Sequence, residues 1–148
     1  MSTKDAESAS PPDPTANRIL ASLPDKDLAR LLPDLQLVDM PIGWTLSESG
    51  DHVNFLHFPV SGIVSLLYSL EDGSSSETAL VGNEGMVGIS IFMGGESMPT
   101  STEVQSAGQA YRLSRKVMQN EFGLGGHLQA LSLLFTQAMI SQTAQNAV

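Results

Sequence analysis

Short apolar segments with a period of two residues follow one another over residues 35–113, and turn residues separate them about every ten positions. Such alternation predicts β-strands that each bury one face. Asp72-Gly73 is a strong hairpin signal, and residues 103–107 and 109–113 predict a second hairpin around Gly108. Many short strands at this spacing are typical of an all-β sandwich or roll.

Helical patterns flank the predicted strands. Asn17 and Asp25 are suited to cap two short helices, and Ser114 is suited to cap a third. Residues 127–147 contain no glycine or proline and have an apolar stripe with helical spacing. The predicted fold is therefore mainly β with flanking helices: a double-stranded β-helix, or jelly roll, followed by a long C-terminal dimerisation helix.

The chain divides into three predicted segments. Residues 1–16 are rich in Pro, Ser, Asp and Glu, which predicts a disordered acidic tail. Residues 17–126 form the β-roll with its short helices, and residues 127–148 form the long helix. This helix becomes polar in its second half, so we expect it to pack on a copy of itself; the alternative is that it lies on its own sheet. The residues assigned to the dimer contact are Leu128, Leu131, Leu134, Phe135, Ala138 and Gln142.

Charge is distributed unevenly along the chain. Residues 31–111 contain ten acidic residues but no lysine and no arginine, and the net charge of the whole chain is −9. An acidic surface repels DNA phosphate and anionic lipid, so the chain alone is not expected to bind either. The absence of cysteine excludes disulfides and thiolate metal sites. No secretory signal or membrane-spanning segment is evident, and we expect a cytoplasmic protein.

The histidines and the known catalytic motifs give no indication of an enzyme. His52 and His57 are five positions apart, so on one regular strand they would face opposite sides. We expect His57 to be a half-buried strand residue and His52 an exposed loop residue. Nucleophile-elbow, phosphate-loop and Rossmann motifs are absent. The sequence therefore predicts no catalytic residue, no metal site and no cofactor.

Several short motifs occur in a characteristic order over about residues 17–146. They are Asn17-Arg18-Ile19-Leu20, Pro41-x-Gly43, Phe58-Pro59-x-Ser61-Gly62, Glu84-Gly85-Met86-Val87-Gly88 and Ala110-Tyr111-Arg112-Leu113. In this order and spacing they resemble the sensor domain of the Crp/Fnr family of bacterial transcription regulators. The resemblance implies a homodimer that binds a small-molecule effector. It also implies that DNA is bound only through a further domain, which would begin about where this sequence stops.

One departure from the family concerns the phosphate site. In members that bind cyclic nucleotides, a glutamate holds the ribose and an arginine pairs with the phosphate. Here Met86 occupies the glutamate position, and the arginine position falls near Thr100 and Ser101. Hydroxyl groups supply no charge, and a charge-assisted hydrogen bond is roughly twice as strong as a neutral one. We therefore expect no tight binding of cyclic AMP or cyclic GMP. The candidate pocket residues are Gly85, Met86, Val87, Gly88, Thr100, Ser101 and Thr102.

Three functions remain open from the sequence. The first is the sensor and dimerisation domain of a Crp/Fnr-like transcription regulator with a degenerate pocket and an unidentified effector. The second is a stand-alone module of the same fold that mediates protein contacts. The third is an enzyme of the cupin type, which the absence of closely spaced histidines disfavours.

Overall fold

The computed structural model describes residues 10–47, 52–69, 72–93 and 100–146. Within these ranges, seven strands form two antiparallel sheets. The strands are β1 Gln36–Met40, β2 Thr45–Ser47, β3 Phe55–Pro59, β4 Ile63–Ser69, β5 Ser75–Val81, β6 Thr100–Ser106 and β7 Gly108–Ser114. The strand order is β1-β7-β3 in one sheet and β2-β6-β4-β5 in the other. The predicted fold, a mainly β jelly roll with flanking helices, is confirmed.

The predicted hairpin around Gly108 is wrong. β6 pairs with β2 and β4, whereas β7 pairs with β1 and β3 in the other sheet. A Cβ atom on Gly108 would lie 2.3 Å from the carbonyl carbon of Ser61, so the chain passes directly against another backbone at this point. This close approach carries the chain from one sheet into the other instead of folding it back on itself. The hairpin at Asp72-Gly73 joins β4 to β5 as predicted.

Four α-helices surround the sheets in the described part of the chain: α1 Arg18–Ala21, α2 Asp25–Leu31, α3 Arg115–Gly123 and α4 His127–Asn146. Ser114 caps α3 as predicted, because its hydroxyl accepts from the Val117 N–H. Asp25 does not cap α2; it lies in the first turn, after Pro24. Short 3-10 turns at Pro14–Ala16, Leu32–Asp34 and Ile89–Ile91 complete the elements.

The predicted disordered tail requires correction for residues 10–16. Pro14–Ala16 form a 3-10 turn, and the Asp13 side chain caps it by accepting from the Thr15 N–H. The Tyr111 hydroxyl donates to the carbonyl of Pro12 at 2.5 Å. Because these contacts satisfy local backbone groups and tie the segment to β7, it belongs to the folded domain. The rest of the predicted tail, residues 1–9, lies outside the described residues.

Asn17 joins three parts of the fold through one fully buried side chain. Its Oδ1 atom accepts from the N–H groups of Ile19 and Leu20 at 3.0 and 3.2 Å, which caps α1 as predicted. Its Nδ2 atom donates to the carbonyls of Pro59 and Gly85, both at 2.8 Å. The side chain thus holds α1 to the end of β3 and to the turn that follows β5.

The core is continuous between the two sheets and the helices. Its largest fully buried apolar side chains come from strands, turns and helices alike: Phe58, Leu20, Leu31, Met40, Leu56, Met86, Leu113 and Met118. All of them belong to one cluster of contacting residues. The short helices are therefore integral to the domain, because they bury apolar surface that the sheets leave open.

The buried face of α4 differs from the predicted apolar stripe. Leu128 and Met139 are buried, and Ser132 and Thr136 lie between them at 0% and 3% exposure. The Thr136 hydroxyl donates to the Ser132 carbonyl one turn earlier, which lets a polar side chain face the core. Ala138 and Gln142 of the predicted stripe are exposed, and so is Leu134. The helix packs on β5, α3 and α1, so one of its faces lies on its own domain.

Replacing Asn17 tests the junction that this side chain forms. Asn17→Ala leaves two buried carbonyls and two helix N-terminal N–H groups without partners, and we expect it to lower the free energy of unfolding by about 2–4 kcal/mol. Denaturant unfolding measures this loss. Ser22→Ala is the matched control, since its hydroxyl bonds within α1 on the exposed side. Equal effects of the two substitutions would contradict the assigned role of Asn17.

Candidate functional site

The turn after β5 is attached to the edge of β3. Val87 and His57 exchange two backbone hydrogen bonds, at 2.9 and 2.8 Å. Glu84 lies before Val87 in the turn. Its carboxylate accepts from the Gly82 N–H, which closes the start of the turn. Since Asn17 also donates to the Gly85 carbonyl, the segment that contains most of the predicted pocket residues is hydrogen-bonded to α1 as well as to β3.

Gly85 packs directly against α4. A Cβ atom at this position would lie 2.2 Å from the Cε1 atom of Phe135, far closer than packed atoms approach. The glycine therefore permits a contact between the turn and the long helix that a larger residue would prevent. The turn and Phe135 are therefore in direct contact, with no space between them.

A small internal cavity, called here the roll cavity, has a volume of about 20 Å³. Its lining residues are Ser47, Val53, Leu66, Met86, Val87, Gly88, Ile89, Thr102 and Met139. This space holds about one water molecule. Met86 is fully buried beside it, so protein side chains fill the interior of the roll. Met139 belongs to α4, and it brings the long helix to the wall of the cavity.

The roll cavity gathers only part of the predicted pocket. Four predicted residues line it: Met86, Val87, Gly88 and Thr102. The other three do not: Gly85 packs on Phe135, Ser101 lies one position out of phase on β6, and Thr100 is buried with its Oγ1 atom unpartnered. Sequence reasoning missed the contributions of Ser47, Val53, Leu66, Ile89 and Met139. Ile89 follows Gly88 directly in the chain, whereas Ser47, Leu66 and Met139 are brought in by strand pairing and by the docking of α4, for which the local pattern holds no signal.

A second cavity, called here the His57 cavity, adjoins the first and has a volume of about 210 Å³. Its lining residues are Leu46, Ser47, His52, Val53, Asn54, Phe55, His57, Val87, Gly88 and Thr102. None of these described side chains is a lysine, arginine, aspartate or glutamate; Glu48 and Asp51, which follow Ser47 and precede His52 in the sequence, lie outside the described residues. The hydroxyls of Ser47 and Thr102 are hydrogen-bonded to each other at 2.9 Å, and both residues also line the roll cavity.

The predictions for the two histidines are partly wrong. His57 is buried, with 6% exposure, where a half-buried residue was expected; His52 is exposed as predicted. They line the same cavity and are not on opposite sides of a strand, because β3 begins only at Phe55. In the described ranges, no group of three or more His, Cys, Asp or Glu side chains is placed to hold a metal ion.

His57 is held neutral by its surroundings. Burial, and then the positive charge of Arg112, lowers the pKa of His57 from 6.5 to about 4. The guanidinium of Arg112 lies 3.8 Å from the centroid of the Phe55 ring, and its Nε donates to Gln36. Arg112 lines neither cavity. Its charge is therefore engaged by an aromatic face and an amide, and it is not presented to the interior.

The predicted dimer-contact residues meet at a third site, called here the helix groove, with a volume of about 430 Å³. It lies between α4, α1 and β5. Five of the six predicted residues line it: Leu131, Leu134, Phe135, Ala138 and Gln142. The opposite wall includes Arg18 and Leu80, while Leu128 is buried elsewhere on the helix. The predicted stripe thus borders an open groove of its own domain.

Residues 38–123 match the family described as the cyclic nucleotide-binding domain. The match covers more than half of the chain, so the protein belongs to this family. The comparison with curated proteins found no match.

Solved structures share the fold at low sequence identity. The N-terminal domain of a transcriptional regulator from Streptomyces coelicolor is 22% identical, with a TM-score of 0.62 over 87% of this chain and 90% of that one. The c-di-GMP-responsive regulator CLP of Xanthomonas campestris is 15% identical, with a TM-score of 0.72 over 84% of this chain and 63% of that one. The regulatory subunit of a cAMP-independent protein kinase A from Trypanosoma brucei is 17% identical, with a TM-score of 0.72 over 91% of this chain and 49% of that one.

The last two similar proteins are considerably longer than the matched region. The chain spans less than two thirds of the Xanthomonas regulator and about half of the kinase subunit. In the described part of the protein, every helix is too short or too polar to cross a membrane.

Gly85→Ala tests the contact between the turn and α4. The added methyl group overlaps the Phe135 ring, and we expect a loss of about 1–3 kcal/mol in the free energy of unfolding. The double variant Gly85→Ala/Phe135→Ala should lose less than the sum of the two single losses, because removing the ring relieves the overlap. Gly123→Ala is the control, since its Cβ meets nothing within 4 Å. Additive losses in denaturant unfolding would contradict the contact.

The pKa of His57 predicts a pH dependence of stability. Between pH 6.5 and about 4, the unfolded chain takes up a proton that the folded chain does not, so the free energy of unfolding falls as the pH falls. We expect His57→Phe to remove up to ~3 kcal/mol of this dependence. Denaturant unfolding at several pH values measures the difference between wild type and variant. Parallel curves for the two proteins would show that His57 is not buried in its neutral form.

Proposed function

We propose that this chain is the sensor and dimerisation domain of a Crp/Fnr-like transcription regulator that responds to a signal other than cyclic AMP or cyclic GMP. The proposed role is binding, not catalysis, in the cytoplasm. DNA would be bound through a domain that is not part of this chain. Membership of the cyclic nucleotide-binding domain family supports the sensor role, as does the likeness of the fold to regulator domains from Streptomyces and Xanthomonas.

The observation that carries the proposal is the chemistry of the cavity walls. Among the residues that the structure describes, those that line the roll cavity and the His57 cavity include no lysine or arginine. The family resemblance places Met86 at the position of the ribose-binding glutamate, and this side chain is fully buried in the interior. A phosphate buried here would lose its hydration without gaining a counter-charge, which costs several kcal/mol. The Xanthomonas regulator is named as responsive to c-di-GMP, and the Trypanosoma subunit is named as independent of cAMP. These names fit a fold that serves more than one signal.

Two contacts provide a route from the interior to the long helix. Met86 of the turn and Met139 of α4 line the same roll cavity, and Gly85 packs on Phe135 one turn away along the helix. A ligand that favours one position of the turn therefore favours one position of α4. Under the proposal, this population shift would set the arrangement of two attached DNA-binding domains.

The outer surface of α4 supports dimerisation. Leu133, Leu134 and Ile140 are 45%, 63% and 56% exposed. Leu133 and Ile140 are seven positions apart, the repeat of a helix that packs along a partner helix. Residues 122–148 contain no Asp, Glu, Lys or Arg, which is unusual for a helix with a solvated face. A second copy would cover this apolar surface.

Isothermal titration of the chain with cyclic AMP and cyclic GMP tests the proposed change of ligand. We expect no saturable binding with a Kd below roughly 10 µM, because that affinity requires about 7 kcal/mol and the site lacks the cation that would supply the largest part. Thermal unfolding of the same sample verifies that the protein is folded. Saturable binding with a Kd below this limit would contradict the proposal, because another group would then have to replace the missing arginine.

Light scattering tests the dimer. We expect the wild-type chain to have twice its monomer mass and Ile140→Glu to dissociate at least tenfold more readily, a change of ~1.4 kcal/mol, because the substitution places two carboxylates in an apolar contact. Leu124→Glu is the matched control: Leu124 is 65% exposed but lies beyond the end of α3, outside α4. A monomeric wild type at high micromolar concentration would contradict dimerisation.

A further inference from the structure

The helix groove is separate from the candidate pocket that was predicted from the sequence. No residue of that pocket lines it, and it shares only Met139 with the roll cavity. Its volume of about 430 Å³ lies within the range of small-molecule sites, roughly 300–1,000 Å³. The exposed side chains of Arg18, Leu80 and Leu134 belong to its wall, so a ligand can reach it directly from solvent.

Most of the groove wall is apolar, and part of this apolar surface faces water. Leu80 on β5 and Leu134 on α4 are 41% and 63% exposed, and Phe135 is half-buried beside the turn. Removing apolar surface from water is favourable, and aromatic rings attract one another beyond the area that they bury. The wall therefore favours a ligand with an apolar body, and Phe135 favours an aromatic one.

Two side chains of opposite charge, Arg18 and Glu84, belong to the same groove. The Arg18 N–H donates to the Asn83 carbonyl at 2.8 Å, so the start of α1 lies directly beside the turn that carries Glu84. The two side chains nevertheless do not pair with each other. In the described part of the chain, the Arg18 guanidinium makes no hydrogen bond or ion pair, and the Glu84 carboxylate accepts only from the Gly82 N–H.

An adjacent but unpaired cation and anion match a ligand that carries both charges. A purely anionic ligand would be attracted by Arg18 and repelled by Glu84, and a purely cationic ligand would meet the reverse. A zwitterion offers a complementary charge to each side chain. Its net charge of zero also avoids the repulsion that an anion meets from a chain of net charge −9.

We propose that the helix groove is the effector site of this sensor and that it binds an α-amino acid with a large apolar side chain. The carboxylate of the ligand pairs with Arg18, its ammonium group pairs with Glu84, and its side chain covers the apolar wall. This proposal rests on the proposed sensing function and assigns the chemical class of the effector. Because α1, β5, the turn and α4 all contribute to the groove, a ligand that contacts them together favours one position of α4 on the roll.

Nuclear magnetic resonance titration of the intact chain at neutral pH with three probes of similar shape tests the proposal. Phenylalanine carries both charges, 3-phenylpropionate lacks the ammonium group and phenethylamine lacks the carboxylate. We expect phenylalanine to bind with a Kd of about 1 mM or tighter and to shift the amide signals of Leu80, Glu84 and Leu134. Each analogue should bind about threefold more weakly, since contacts between exposed charges are individually weak. Equal affinities for the three probes, or no saturable binding of phenylalanine, would overturn the proposal.

Substitutions that remove one charge at a time locate the two ends of the ligand. Arg18→Gln should weaken the binding of phenylalanine and 3-phenylpropionate about threefold and leave phenethylamine unaffected. Glu84→Gln keeps an oxygen for the Gly82 N–H and should weaken phenylalanine and phenethylamine instead. The controls Lys26→Gln and Glu103→Gln remove the same charges from exposed positions outside the groove and should leave all three affinities unchanged. Equal effects of groove and control substitutions would overturn the assigned contacts.

A second copy of the chain is the alternative occupant of the groove, since Leu134 also belongs to the exposed face of α4 that was assigned to the dimer. Ile140→Glu separates the two occupants, because Ile140 does not line the groove. Phenylalanine binding by both the wild-type dimer and the dissociated variant would support the site. Binding by the variant alone would show that the second copy covers the groove, and it would overturn the proposed effector site.

The same samples separate this proposal from the proposed function. Light scattering of the wild type with and without saturating phenylalanine measures the dimer independently of ligand binding. Phenylalanine binding by a strictly monomeric wild type would support the site and contradict the dimerising sensor. A dimer that binds none of the three probes would overturn the site and leave the dimerising domain supported.

Discussion

The buried amide of Asn17 is the interaction on which the rest of the structure depends. Its two acceptor and two donor bonds are all made inside the protein, to α1, to the end of β3 and to the turn at Gly85. Because α1 forms one wall of the helix groove and Gly85 fixes the position of Phe135, this one side chain sets the relative positions of the roll, the turn and the long helix. A polar residue does this better than an apolar one, because hydrogen bonds specify direction as well as contact.

Apolar and uncharged polar side chains line the interior of the roll in the described residues. In this chain a fully buried methionine occupies the interior, and the adjoining cavity has a wall of hydroxyl, amide, imidazole and apolar groups. Arg112 on β7 is directed to Phe55 and Gln36, and Arg115 at the start of α3 donates to the carbonyl of Val53, which lines both cavities. In the described residues, neither cavity is lined by a lysine or an arginine.

The helix α4 has two different faces. The face toward the domain carries Leu128, Ser132, Thr136 and Met139. On this face the Thr136 hydroxyl donates to the Ser132 carbonyl of the helix backbone, at a buried position where an apolar side chain would be usual. The face toward solvent carries exposed leucine and isoleucine. Under the proposed function, a second chain would cover the solvent-facing surface, and the helix would transmit a small shift of the turn.

The sequence by itself determined the local features of this protein. Period-two alternation located the strands, Asn17 and Ser114 marked helix starts, and the run without lysine or arginine excluded a fixed cation from most of the roll. Only the tertiary structure decided how these parts meet. It placed β6 and β7 in different sheets, put His52 and His57 on one cavity, and turned Ser132 and Thr136 of α4 inward. The physical reason is that alternation and capping depend on neighbouring residues, whereas strand partners, cavity walls and burial depend on contacts between residues far apart in the chain.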